Sequence, residues 1–361
     1  MLKLFDPNVT NEEIDAVKQV LLSHHWASGA GLEMVTSFEE ELSSYIGCKT
    51  VVTVNSGTAA LHLALSLTSS EDMDVLVPSL SFVSTAHAVR YNRAKVVFVD
   101  VNPQTLCMDP VDLETKIRSD KAIAIVPVHF GGMPCDIYQL NKIAKAHDLN
   151  IVDDAAHACG ALYRGKHIGN MGNMTCFSFH PVKNLSMPSG GAIALNSSSW
   201  KRDRSKLLSL RWCGIDKRVG TTYDVTSISP NYYLNEISAA IGRVQLRKLD
   251  TLNRRRKDIA NRYHNELNIE QKMPYSDDCA YHLYWIMSEN RKHMIKHMND
   301  KGIEVGTHYR PIHTMTAYKE KSAPAMPVTE KVGGQIITIP IHSNLNEDDV
   351  SYIIESINKF A

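Results

Sequence analysis

Ile151-Val152-Asp153-Asp154-Ala155-Ala156-His157 starts as a short apolar run and ends on carboxylates. Asn150–Asp153 reads as a buried strand with acids at its C-terminal end. Further apolar runs follow at Thr175–Phe179 and Gly191–Leu195. Others precede it at Val75–Val77, Val96–Val101 and Ala122–Val128. Helical patterns separate several of them. Thr58–Leu67 places Leu61, Ala64 and Leu65 on one side, and Ile137–His147 is a second. Apolar strands without alternation, interleaved with helices, predict an α/β fold with a mostly parallel sheet covered on both faces.

The character changes after about residue 235. Glu236–Glu266 predicts one long amphipathic helix. Its Arg254-Arg255-Arg256-Lys257 run shares the helix with Asp250, Asp258 and Glu266, so it reads as a solvated face. Trp285–Met287 and Gln335–Ile341 read as strands, Lys292–Lys301 and Glu347–Asn358 as helices. Residues 1–235 thus form a large domain, and 236–361 a smaller α+β domain, on which the N-terminal residues are expected to pack.

The 361 residues hold 39 Lys+Arg and 39 Asp+Glu, a formal net charge of zero that argues against a nucleic-acid partner. Apolar residues are 43% and charged residues 22%, as in a soluble globular chain. The seven cysteines stand singly, without C-x-x-C, which points to free thiols of a reducing cytoplasm rather than disulfides or thiolate zinc. The first residues break at Asp6-Pro7 before an apolar signal core forms, and no run is long enough to span a membrane.

Three stretches carry candidate chemistry. Asn55-Ser56-Gly57-Thr58-Ala59-Ala60-Leu61 ends a β-like run and opens a helix. Small residues there admit an anion to backbone N–H groups, although the same residues make an ordinary N-cap. Asp154 lies at a strand end, where open α/β sheets hold ligands. It either stabilises a protonated ligand nitrogen or caps a helix. In Phe177-Ser178-Phe179-His180-Pro181-Val182-Lys183-Asn184 a strand runs into a turn bearing one lysine, and Gly190-Gly191 opens the next strand. Lys183 is either a desolvated nucleophile or one more solvated lysine. Taken together in this order, a phosphate cradle, a strand-end aspartate and a later lysine meet the needs of pyridoxal phosphate.

At this point the chain resembles the DegT/DnrJ/StrS family of sugar aminotransferases, in the aspartate-aminotransferase-like, fold-type-I superfamily. The likeness spans nearly the whole sequence. It begins with Trp26, Ser28, Gly29 and Phe38-Glu39, and runs through the stretches above with Pro78–Thr85, Val99-Asp100-Val101, Pro127-Val128-His129 and Gly131-Gly132. It continues in Asn231-Tyr232, Ala239-Ala240-Ile241-Gly242, Gln245-Leu246, His308-Tyr309-Arg310-Pro311-Ile312-His313 and Pro340-Ile341-His342. The resemblance implies a seven-stranded, mostly parallel sheet in the large domain. It implies Lys183 as the Schiff-base residue and Asp154 as partner of the pyridinium nitrogen. Gly57, Thr58, Ala59 and Ser178 would hold the phosphate, Phe82 would stack on the ring and His157 would lie near the 3-hydroxyl. Asn231 would reach the cofactor phosphate of a neighbouring subunit, so a homodimer with shared sites is implied. His308, Tyr309 and His313 fall at substrate-side positions, with structural roles for the two histidines equally open. No metal is expected, because these histidines lack acidic or thiolate partners at ligand spacing.

The chain also departs from the family pattern. Ser186-Met187-Pro188-Ser189 stands where many relatives have a threonine pair followed by glycine and an acid. Tyr233 stands where many have arginine. The lysine is kept, unlike in the dehydratase branch. The implied reaction moves an amino group from L-glutamate to a keto-sugar, most simply a nucleotide-linked one. The alternative is a smaller keto-polyol or keto-phosphate. A nicotinamide dehydrogenase would need G-x-G-x-x-G after a first strand, and none occurs. A non-catalytic homologue would not need Lys183 and Asp154.

Overall fold

The computed structural model describes residues 1–68, 71–117, 121–171, 174–319 and 325–360. Helices α1 (Asn11–Ser23) and α2 (Glu33–Ile46) precede strand β1 (Thr50–Val54), helix α3 (Gly57–Ser66), strand β2 (Asp74–Pro78), helix α4 (Ser84–Tyr91) and strand β3 (Lys95–Val99). Helix α5 (Pro110–Lys116), strand β4 (Ala122–Ile125), helix α6 (Ile137–Ala146) and strand β5 (Asn150–Asp154) follow. A short hairpin, β6 (Leu162–Tyr163) and β7 (Lys166–His167), leads to β8 (Met174–Ser178) and β9 (Gly191–Leu195). Helix α7 (Trp200–Leu210) precedes a second hairpin, β10 (Ile215–Val219) and β11 (Thr222–Val225). Then come α8 (Glu236–Glu266), β12 (Tyr284–Met287), α9 (Arg291–Asp300), α10 (Pro327–Gln335), β13 (Ile336–Ile339) and α11 (Glu347–Asn358).

Seven strands form one sheet in the order β1-β9-β8-β5-β4-β2-β3. All pairs from β8 to β3 are parallel, and β9 runs antiparallel to both β1 and β8. Successive side chains point to opposite faces, and both faces are covered. Val52, Val54, Val75, Val77 and Val152 pack with Leu61 and Leu65 of α3 on one side. Leu76, Val99, Ile125 and Ile151 pack on the other. That double burial is why the strands lack alternation.

The second core is continuous with the C-terminal part. Ile259 and Tyr263 of α8, Trp285, Ile337 and Ile353 belong to the same buried cluster as Leu76 and Val99. There β12 and β13 form an antiparallel pair. The N-terminus joins them: Leu2 bridges Ile303, and its carbonyl accepts from the Glu304 N–H at 2.9 Å.

One expectation needs correction. The basic run of α8 is not wholly solvated. Arg256 is buried and donates to the carbonyls of Tyr281 and Ile341, so it fastens the helix to the segment that enters β12. A guanidinium can satisfy carbonyls in a dry interface because its donors are spread over a fork. Two strands are also shorter than their apolar runs. β3 stops at Val99 and β4 at Ile125, because the chain leaves the ladder near Asp100 and Pro127.

Candidate active site

Because β9 opposes both its neighbours, β1, β8 and β5 run the same way and end on one edge of the sheet. Gly191 begins β9 at that edge and lies opposite both Val54 and Ser178. A Cβ on Gly191 would come within 2.4 Å of the Ser56 carbonyl oxygen, so the close approach excludes a side chain. The turn after β1 is therefore pressed against the end of β8. A Cβ on Gly57 would meet Ser178 Cβ at 2.7 Å. Ser56 caps α3 by accepting from the Ala59 N–H at 3.1 Å, and Thr58 Oγ1 lies 2.6 Å from Ser84 Oγ. Gly57, Thr58, Ala59 and Ser178 are thus brought together at a helix N-terminus, an arrangement suited to an anion.

Asp154 closes β5 and is only 4% exposed. Thr85 Oγ1 donates to its Oδ2 at 2.7 Å, and the Ala156 N–H donates to Oδ1 at 3.1 Å. Burial raises its pKa, while those two donors and the charge of Lys183 oppose the rise. Lys183 sits in the turn after β8. Its N–H donates to the His180 carbonyl at 2.8 Å, and its own carbonyl accepts from Ser186 Oγ at 2.7 Å. Next to it, Asn184 Nδ2 donates to the Asn253 side chain and to the Ala280 carbonyl, both at 2.7 Å. The turn is thereby anchored to α8. Burial brings the Lys183 amine down to about 8, with Asp154 pulling the other way. An amine held there is about half unprotonated at pH 8 and about a tenth unprotonated at pH 7.

Three further side chains converge on the lysine. His282 Nε2 lies 3.3 Å from Lys183 Nζ. The His157 ring lies against that of His282, tilted by 41° with centroids 4.5 Å apart. The Gly131 N–H donates to His157 Nδ1 at 3.2 Å, so neutral His157 carries its proton on Nε2 and gives it to Tyr309 Oη at 3.1 Å. His308 Nδ1 lies 2.7 Å from Thr338 Oγ1, and burial, then Lys183, lowers its pKa to about 4. Burial and Lys183 likewise hold His157 neutral. Phe82 is 56% exposed, with its ring 6.1 Å from that of Tyr309.

The expected residues are therefore gathered with two exceptions. His313 makes its contacts elsewhere: its Nδ1 lies 2.7 Å from Ser79 Oγ, its Nε2 3.5 Å from Glu330 Oε1. Asn231 is exposed beyond the β10–β11 hairpin, its backbone bridged to Trp212, and its side chain makes no hydrogen bond among the described residues. His282 was not singled out in the sequence. It lies in the apolar stretch Ala280–Met287, where one histidine looks like a core residue, and only tertiary contacts of the segment before β12, such as Asn184 Nδ2 to the Ala280 carbonyl, bring it to Lys183. At the departures from the family pattern, Ser189 Oγ lies 3.5 Å from Ser238 Oγ, and Tyr233 packs edge-on to Trp212.

A buried strand-end carboxylate, a desolvated lysine and a small-residue cradle on this sheet are the parts of a pyridoxal-phosphate-dependent aminotransferase. The chain belongs to the DegT/DnrJ/EryC1/StrS aminotransferase family, which it matches over residues 7–358. GDP-perosamine synthase of Escherichia coli O157:H7 is 33% identical, covering 99% of this chain and 98% of that protein. The crystal structure of S. venezuelae DesV in complex with a ketimine intermediate is 30% identical, with a TM-score of 0.90 over 97% of this chain and 94% of that one. The sugar aminotransferase Spr1654 of Streptococcus pneumoniae, in its PMP-form, superposes with a TM-score of 0.93 at 27% identity, over 99% and 98% of the two chains.

The residues fit the cofactor of this family. The cradle between Gly57 and Ser178 is one that a Cβ would fill, and Asp154 and Lys183 present complementary groups at the same sheet edge. Bound there, pyridoxal phosphate would supply an aldehyde for an amine and an electron sink for the adjoining carbon.

Proposed function

We propose that this enzyme transfers an amino group from L-glutamate to the ketone of a nucleotide-linked deoxysugar. The observation that carries the reading is the Lys183 amine, drawn down to about 8 in a pocket that also holds Asp154. Such an amine is basic enough to take a proton from carbon and acidic enough to return it. Gly57, Thr58, Ala59 and Ser178 would hold the cofactor phosphate, and Lys183 would bond to its aldehyde. Asp154 keeps the ring nitrogen protonated. His157, locked in one tautomer by Gly131 and Tyr309, orients the opposite ring edge. Phe82 covers the exposed face. His308 and Tyr309 line the substrate side, with His313 behind them against Ser79. Two subunits complete each site through Asn231. The family and the relatives support the sugar as acceptor. The donor and the nucleotide rest on this proposal.

Lys183→Ala is expected to abolish both the visible absorbance of the lysine-bound cofactor and transamination. Full turnover by that variant would sink the assignment. A panel of nucleotide-linked keto-sugars, keto-polyols and keto-phosphates assayed with glutamate then tests the acceptor. Amination confined to the small phosphates would overturn the nucleotide-sugar reading.

A further inference from the structure

His282 is 1% exposed and stands between two rings. Phe5 lies 5.5 Å away and nearly parallel at 18°, and His157 lies 4.5 Å away on another side. Its Nε2 faces Lys183 Nζ at 3.3 Å, while its Nδ1 is buried with no hydrogen-bond partner among the described residues. Lys183 has N–H to give in either charge state. As an ammonium it has only N–H to give, so in that state Nε2 accepts and Nδ1 carries the ring proton. A histidine kept only for packing would leave that donor unpaired for no return, since a phenylalanine would fill the same stack.

We propose that His282 is the dock of the Lys183 amine: its Nε2 receives an N–H of the lysine whenever Lys183 carries the proton it moves. The proposal rests on the reading of Lys183 as the proton-moving group. In that cycle Lys183 Nζ takes one proton from the donor's α-carbon, becomes an ammonium, and passes the proton on. His282 neither gains nor loses one. The site needs such an acceptor because it is buried and poor in negative charge. Around Lys183 stand Asp154 from β5, His157 just beyond it, His180 in the same turn, and His308 and Tyr309 before β13. Among the described residues, Asp154 is the one carboxylate that supports the ammonium. Burial and Lys183 keep His282 itself neutral, and so able to accept.

The test uses His282→Phe, which keeps the ring stack without the nitrogen, and His282→Gln, which returns an amide near the position of Nε2. The first reading is the pH dependence of Lys183 labelling by acetic anhydride in the full chain freed of cofactor, followed by peptide mass spectrometry. The wild-type midpoint is expected near 8. His282→Phe should lower it by about one unit, because the ammonium loses its acceptor, and His282→Gln should restore it. In the loaded enzyme, kcat for the glutamate half-reaction should fall about tenfold or more in His282→Phe with KM kept. The Tm of His282→Phe should equal or exceed that of the wild type, because the unpaired Nδ1 is gone. An unmoved midpoint in His282→Phe would make the residue a packing element and overturn the dock. Borohydride reduction of the wild-type chain with pyridoxal phosphate separates the two levels. Absence of a Lys183 adduct overturns the functional reading, whereas an adduct with an unmoved midpoint overturns the dock alone.

Discussion

In their proposed roles, Lys183 and Asp154 place opposite demands on pH. The lysine works as an amine, and burial has brought it to about 8, so its useful form grows as pH rises through that value. The aspartate works as a carboxylate, and burial has raised it, so its useful form is lost as pH falls through the raised value. Thr85 sits on the acid side of this window. Its hydroxyl donates at 2.7 Å to Asp154 Oδ2 and so favours the ionised form. Thr85→Val is isosteric but removes the donor. The sign follows directly: Asp154 rises further, and the acid limb of the pH–rate profile should move up by roughly half to one unit, with the alkaline limb unmoved. An acid limb that stays in place would show that Asp154 does not set it. The sequence displays Lys183 and Asp154 because each follows an apolar strand whose end is readable. It hides His282, because a residue 99 positions from Lys183 acquires its meaning only through tertiary packing.

At the scale of elements, the site depends on how closely the β1–α3 turn approaches β8. Gly57→Ala tests that spacing. The added Cβ would lie 2.7 Å from Ser178 Cβ, which is carbon fixed at a strand end and not the tip of a flexible chain. The turn must move outward. A loss of cofactor affinity of at least about tenfold is expected, with destabilisation of roughly 1–3 kcal/mol, read by fluorescence titration and thermal melts. Unchanged affinity would remove Gly57 from the cradle. The same turn shows what a sequence discloses about a fold. Helices α8 and α11 have the predicted bounds, because long amphipathic patterns with caps at Asn235 and Asn346 are local signals. The antiparallel course of β9 has no such signal, since direction in a buried sheet leaves no pattern of its own. The β10–β11 hairpin also went unread, being polar and largely exposed, with Val219 79% accessible. Arg256 looked solvated because charge runs usually are, and its burial follows from the carbonyls of Tyr281 and Ile341 supplied by distant segments.

The whole molecule poses the remaining question, whether one chain makes one site. Zero net charge means no global field draws anionic ligands in, so local donors must hold them. Asn231 is proposed as one such donor, yet in its own chain it is exposed and its side chain is unbonded among the described residues. Around it Val219, Tyr223, Val225 and Ile228 are exposed as well. Apolar side chains standing out beside an unused amide suit a surface that meets a second copy. If Asn231 serves the partner's phosphate cradle, two different inactive variants should rescue each other. In a hybrid dimer of Lys183→Ala and Asn231→Ala chains, one site carries both lesions. The other combines the Lys183 of one chain with the Asn231 of its partner and is intact. Mixing the two variants under conditions of subunit exchange should therefore return about a quarter of wild-type activity, since half of the dimers are hybrid and half of their sites are whole. Each variant alone should stay near its own background at every protein concentration. If Asn231 acted within its own chain, every site of every mixture would carry at least one lesion, and no rescue would appear however long the chains exchanged.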